Sequence, residues 1–141
     1  KTQLMKKLLL LPFLIGFIFT SCEPVPEDLT TKVIYNFSIN SKEWQVHTDA
    51  AGLNRYYSCS LPVSNLNSNV YDDGAVIAYI VMDGYQQVLP YIRHYENSNG
   101  ERWTRTVDFD FSDGAVNFYI TNSDFAVDPP GNMDFRVVLM W

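Results

Sequence analysis

The sequence predicts an all-β chain folded as a two-layer antiparallel β-sandwich, with about 7–9 strands and at most one short helical turn. From Lys32 onward, apolar residues recur at every second position, and no stretch sustains a 3.6-residue apolar repeat long enough for a regular helix. Clusters of Gly, Asn, Asp and Pro separate these runs at hairpin spacing. A single sheet of so many strands would leave one whole apolar face in water, so two layers are required. Immunoglobulin-like and jelly-roll strand orders both satisfy the pattern.

Residues 1–21 have the layout of a secretory leader: Lys6 and Lys7, a twelve-residue apolar run from Leu8 to Phe19, then Phe19-Thr20-Ser21-Cys22. The run is too short for a spanning helix of about 20 residues and falls within the roughly 7–15 of a leader core. Phe19-Thr20-Ser21-Cys22 resembles the lipobox of bacterial lipoproteins. That resemblance implies that Cys22 is lipidated and opens the mature chain; a plain secretory leader is the alternative. Residues 22–31, CEPVPEDLTT, hold two prolines and three acids without apolar periodicity, as an extended tether does. Glu23, Glu27 and Asp28 resemble the acidic stretch that follows the lipidated cysteine in surface-exported lipoproteins of Bacteroidetes, and a solvated spacer would carry the same residues.

The folded domain spans residues 32–141. Val33, Tyr35, Phe37 and Ile39 alternate with Lys32, Asn36 and Ser38, and Tyr57, Cys59, Leu61 and Val63 repeat the pattern. Leu66 and Val70, four apart between Pro62 and Gly74, suit one helical turn across the end of a sheet. Trp103 to Phe111 is the clearest strand, with Trp103, Arg105, Val107, Phe109 and Phe111 on one face and Thr104, Thr106, Asp108 and Asp110 on the other. Gly74 to Met82 (GAVIAYIVM) and, apart from Arg136, Phe135 to Trp141 (FRVVLMW) are apolar on both faces, which predicts enclosed, central strands. Asp83-Gly84, Asn97-Ser98-Asn99-Gly100, Asp113-Gly114 and Pro129-Pro130-Gly131-Asn132 supply the turns. One string occurs twice: DGAVIAYI at 73–80 and DGAVNFYI at 113–120 agree at six of eight positions. This echo suits either two equivalent loops at one end of the sandwich or a purely structural trace.

Charge narrows the partners. The chain carries a formal charge of -6, and removal of the leader takes Lys1, Lys6 and Lys7 with it, leaving 7 basic residues against 16 acids, a net -9. Such a chain repels phosphate backbones, and Arg55, Arg93, Arg102, Arg105 and Arg136 form no basic stripe, so nucleic acid is excluded as a partner. With the Cys22 sulfur consumed by lipid, Cys59 is left alone; in phase with Tyr57 and Leu61, it reads as a small buried hydrophobe.

The strings VIYNFSI, SKEW with its tryptophan, RYYSCSLPVSNL, DGAVIAYI, VLPY and FRVVLMW resemble, in that order, a domain of small secreted proteins and lipoproteins of Bacteroidetes. The resemblance covers nearly all of 32–141 and implies a β-sandwich on the outer membrane, without an assigned activity or catalytic residues.

No nucleophile elbow, phosphate-binding glycine loop or zinc-protease motif is present, and His47 and His94 lack second ligands at metal spacing, so both read as ordinary surface histidines and the chain as a non-enzyme without cofactor. Asp108-x-Asp110-x-Ser112-Asp113-Gly114 offers alternate hard oxygens, but its glycine falls at the seventh position and Tyr119 stands where the twelfth-position Glu is needed. Asp108, Asp110 and Asp113 are therefore the weakest of candidates for calcium, with the echoed Asp72-Asp73-Gly74 turn the other place to look, and no metal is expected. Aromatic side chains outside the core phase can serve as flat platforms for sugars: Trp44, Tyr56, Tyr85, Tyr91 and Tyr95. The expected function is thus a membrane-tethered binding domain for a glycan. The alternative is an assembly or adhesin-type protein acting through strand-edge contacts with other proteins, for which Phe135 to Trp141 is apolar enough.

Overall fold

The computed structural model describes residues 30–126 and 128–141. The leader, Cys22 and the tether up to residue 29 lie outside the described residues.

Nine strands and one short helix follow one another: β1 (Lys32–Ile39), β2 (Gln45–Thr48), β3 (Arg55–Pro62), α1 (Ser68–Asp73), β4 (Ala75–Met82), β5 (Tyr85–Val88), β6 (Tyr91–Glu96), β7 (Arg102–Ser112), β8 (Ala115–Asn122) and β9 (Met133–Met140). They form two antiparallel sheets, ordered β1-β9-β4-β5 and β2-β3-β8-β7-β6. The alternation seen in the sequence places the side chains as expected: Ile39, Tyr57, Cys59, Val107, Val116, Phe118 and Ile120 point between the sheets and are buried. The rings of Phe118 (β8) and Phe135 (β9) stack with centroids 4.1 Å apart and tie the two layers at their centre. Each such side chain stabilises the fold by about 1.5–3 kcal/mol through apolar area removed from water.

β4 and β9 are the two inner strands of the four-stranded sheet, which accounts for their lack of strict alternation. Their second apolar face is the outside of that sheet, where Ile34, Val138 and Ile77 stand in one row across β1, β9 and β4. Because β9 is hydrogen-bonded on both sides, it offers no free edge, and this corrects the expectation that Phe135 to Trp141 could add to a partner's sheet. Among the described residues, the long free edge belongs instead to β1.

The predicted helical turn is α1. Asn67 caps it, its side chain accepting from the Asn69 and Val70 amides, and Leu66 and Val70 close the sandwich end beneath. At the opposite end, Asp83 and Gly84 (φ 49° and 82°) close the β4–β5 hairpin in the conformation that two-residue turns require. The Asn97 side chain accepts from the Asn99 and Glu101 amides and so shapes the β6–β7 turn.

Candidate functional site

The end of the sandwich remote from α1 is built by the β6–β7 hairpin, the last residues of β8 and the loop toward β9. The hairpin register sets Tyr95 opposite Trp103 and Arg93 opposite Arg105. All four lie on the face of the five-stranded sheet that turns inward, at the end where β4 turns back into β5 at Asp83-Gly84. The inner face of the hairpin therefore outruns its cover, and side chains in core phase emerge into solvent: Tyr95 is 38% exposed although Val107, four residues beyond Trp103 on the same face, is 1% exposed.

Tyr95 and Trp103 stack with centroids 5.5 Å apart and 14° between their planes. Two open clefts meet at Trp103 and Arg102. One, of about 490 Å³, is lined among others by Asn97, Glu101, Asn122, Asp124 and Asp128; the other, of about 420 Å³, by His94, Tyr95, Glu96, Thr104 and Ser123. Arg105 anchors the floor. Its Nε donates to Oδ1 of the buried Asn122 at 2.9 Å, its guanidinium pairs with Asp128 at 3.3 Å, and it lies 5.6 Å from the Tyr95 centroid. Arg102 pairs with Glu96 at 2.7 Å in solvent, where such a contact adds little to stability. The aromatic stack is thus ringed by carboxylates, amides and a guanidinium. Each of these carboxylates already has a protein donor, the Asp124 side chain accepting from the Ala126 amide and Glu101 from Asn97.

The sequence-derived candidates divide among separate places. Tyr95 belongs to this end cleft. Tyr91 lies on the same face of β6 but packs against the core, with Arg93 5.4 Å from its ring centroid. Tyr85 stands alone beside the β4–β5 turn, 78% exposed. Tyr56 faces outward from the five-stranded sheet, its ring 5.3 Å from that of His47 and 6.2 Å from that of Tyr119. Trp44 is not a platform: it is 8% exposed and packs edge-on against Phe135 at 6.2 Å. The turn at Asn40–Glu43 rolls the chain over the open end of the sandwich and drives the indole inward.

The three acidic candidates do not meet at one point: Asp108 and Asp110 line one cleft and Asp113 stands apart. Asp110 accepts from the Tyr119 hydroxyl at 2.9 Å and from Asn117 at 2.7 Å, Asp108 faces the cleft beside Tyr56, and Asp113 sits in the exposed β7–β8 turn with no role in either cluster. Among the described residues, no group of three or more His, Cys, Asp or Glu side chains is arranged to hold a metal ion. Burial, with the neighbouring Asp110 charge, raises the Asp108 carboxyl above the usual aspartate range. Burial also pushes the Tyr119 hydroxyl up to about 12, with the hydrogen bond to Asp110 adding to it. His94 is exposed, 2.9 Å from the Thr104 hydroxyl, and His47 lies 2.9 Å from that of Ser58. Cys59 is buried, and that burial raises its thiol.

Trp103 and Tyr119 are the residues that sequence reading left out. Trp103 was hidden by its core phase, yet the Asn97–Gly100 turn lies midway between it and Tyr95, and a hairpin closed there pairs the two. Tyr119 sits in the echoed string at the outward position.

No protein-family model matches the chain, no curated protein matches it in sequence, and no solved structure matches it.

Proposed function

We propose that the chain is a lipid-anchored protein of a bacterial outer membrane, held there through Cys22, whose β-sandwich binds a glycan and performs no catalysis. The observation that carries the reading is the Tyr95–Trp103 stack, set between two polar clefts at the open end of the sandwich. Flat aromatic faces pack on the apolar C–H faces of sugar rings, while neighbouring carboxylates, amides and guanidinium groups hydrogen-bond their hydroxyls. Carboxylates already held by Arg102, Arg105 and Asn97 suit fixed hydrogen bonding to hydroxyls better than proton transfer. Loops at the end of a rigid sandwich are a usual place for recognition. The leader and the likeness of the strand strings to Bacteroidetes lipoprotein domains support the envelope setting; a domain on either face of the membrane fits it.

The test is a thermal-shift screen of the full chain in detergent against host and plant glycans, with calcium and EDTA alongside. A ligand at about 100 times its dissociation constant stabilises by about 2.7 kcal/mol, which moves the midpoint by several degrees. Trp103→Ala is expected to abolish the shift while the unliganded midpoint changes little; a glycan shift that survives this substitution removes the end cleft as the site. Cys22→Ser is expected to move the protein from the membrane to the soluble fraction, and unchanged fractionation rejects the anchor.

A second reading, assembly through strand edges, is favoured by β1. It has eight residues and bonds on one side only, to β9, among the described residues, whereas the other edge strands β2, β5 and β6 have four, four and six. Silence of the glycan panel with concentration-dependent association of the chain makes this the leading account.

A further inference from the structure

The outward face of the five-stranded sheet carries a second arrangement, independent of the end cleft. Asp108 on β7 stands directly opposite Tyr119 on β8, and Tyr119 opposite Ser58 on β3. The Tyr56 and Tyr119 rings are tilted by 55° with centroids 6.2 Å apart. With Asp108, Asp110 and Thr121 they line a cleft of about 410 Å³.

We propose that this cleft binds an alkylammonium group, with Tyr56 and Tyr119 as aromatic walls and Asp108 as its counter-charge. Ring faces are the negative pole of the aromatic quadrupole, so two of them at an angle attract a cation and offer nothing to an anion. The two aspartates are not equivalent. Asp110 is committed to the Tyr119 hydroxyl and Asn117, whereas Asp108 accepts no side-chain hydrogen bond among the described residues. Among the described residues, no basic side chain forms an ion pair with it either. Arg105 on the same strand alternates to the inner face, and the outward-facing Arg102 is six residues away, about 20 Å along the strand, and paired with Glu96. A partly buried carboxylate beside a like charge is unfavourable as it stands, and a bound cation relieves it.

The walls are held before any ligand arrives. Tyr119 is fixed by Asp110, and Tyr56 is backed by the His47 ring at 5.3 Å and 22°, which in turn sits 2.9 Å from the Ser58 hydroxyl. None of these side chains contributes to the core, which lies on the other side of the sheet. A shaped and rigid polar surface with one unanswered charge is the mark of a site.

Alkylammonium groups come as primary amines and as quaternary ammoniums, and two probes separate them. The full chain, labelled with 15N in detergent micelles, is titrated with ethanolamine hydrochloride and with choline chloride at matched ionic strength. The uncharged choline isostere 3,3-dimethylbutan-1-ol serves as the control. At least one cation is expected to shift the amides around Tyr56, Asp108 and Tyr119 with an affinity about tenfold or more above that of the alcohol. Asp108→Asn, isosteric and on the surface, is expected to weaken the cation by about tenfold and leave the alcohol unchanged. The proposal is overturned if the alcohol shifts these amides as well as the cations do, if Asp108→Asn binds like the parent, or if neither cation moves them. The outcome is independent of the glycan screen, because this cleft shares no lining residue with either of the two end clefts.

Discussion

Asp108 shows how one side chain ties stability to pH. Its folded-state carboxyl lies above the ordinary value of 3.8, chiefly through burial, so the folded protein holds that proton more tightly than the unfolded chain. Linkage then fixes the sign: the Asp108 contribution is most favourable below the ordinary value and is lost as pH rises through the raised one. Asp49 and Glu43 act oppositely. The Leu53 amide lowers Asp49 and the Asn40 amide lowers Glu43, so both stabilise at neutral pH and lose that effect as acid protonates them. Asp108→Asn is accordingly expected to raise the urea midpoint at pH 7 and to leave it unchanged below pH of about 3, where the parent carboxyl is also neutral. A midpoint lowered at pH 7 would mean that Asp108 has a structural partner. Tyr119 gives a spectroscopic check on the same face. With its hydroxyl pushed up to about 12, it should be among the last tyrosines to ionise in an absorbance titration, and Asp110→Asn should bring it down.

Elements explain the echo. DGAVIAYI and DGAVNFYI open β4 and β8, which lie in opposite sheets and both start at the α1 end. The phase is the same in both, Ile80 and Ile120 entering the core while Tyr79 and Tyr119 face out. The two glycines, however, are required for different reasons. At Gly74 a Cβ would meet the Val70 and Met140 carbonyl oxygens at 2.7 and 2.8 Å, whereas Gly114 has open space around it and a φ of +81°. Gly114→Ala is expected to cost about 1–2 kcal/mol in backbone strain. Gly74→Ala is expected to cost more, because two backbone segments must move apart as in an overpacked core. Urea midpoints of the two variants decide it; equal losses would refute the close-approach reading. The shared string thus encodes a turn followed by a central strand, and in the proposed cation site only the β8 copy supplies an aromatic wall.

Much of this architecture was readable from alternation: the strand faces, the enclosed β4 and β9, and the single turn at Leu66 and Val70 all follow from which positions are apolar. The site was less readable, because it depends on pairing. Tyr56 meets Tyr119, 63 residues further along the chain, only through the β3–β8 register. Trp44 misleads for a related reason: it follows a turn, where alternation no longer says which way a side chain faces. The emergence of Tyr95 and Trp103 depends on where the strands of the opposite sheet turn back, which their own alternation does not encode.

At the scale of the whole molecule, the Phe118–Phe135 stack joins two layers that, among the described residues, share no backbone hydrogen-bond ladder. Phe135→Ala is expected to cost about 3–5 kcal/mol and to destabilise both sheets together. Amide exchange should show protection falling in β3 and β8 as much as in β1 and β4; loss confined to the four-stranded sheet would mean that the layers fold separately. The order of that sheet also sets a sequence in time. β1 has no partner in its own sheet until β9 arrives, and Lys32 pairs with Met140, 108 residues further along. Until then β1 is an isolated strand and β4–β5 a lone hairpin, neither stable in water. Closure therefore waits on β9, the last strand of this sheet to be made, so until β9 has left the ribosome the sheet stays open and its apolar strands unpaired.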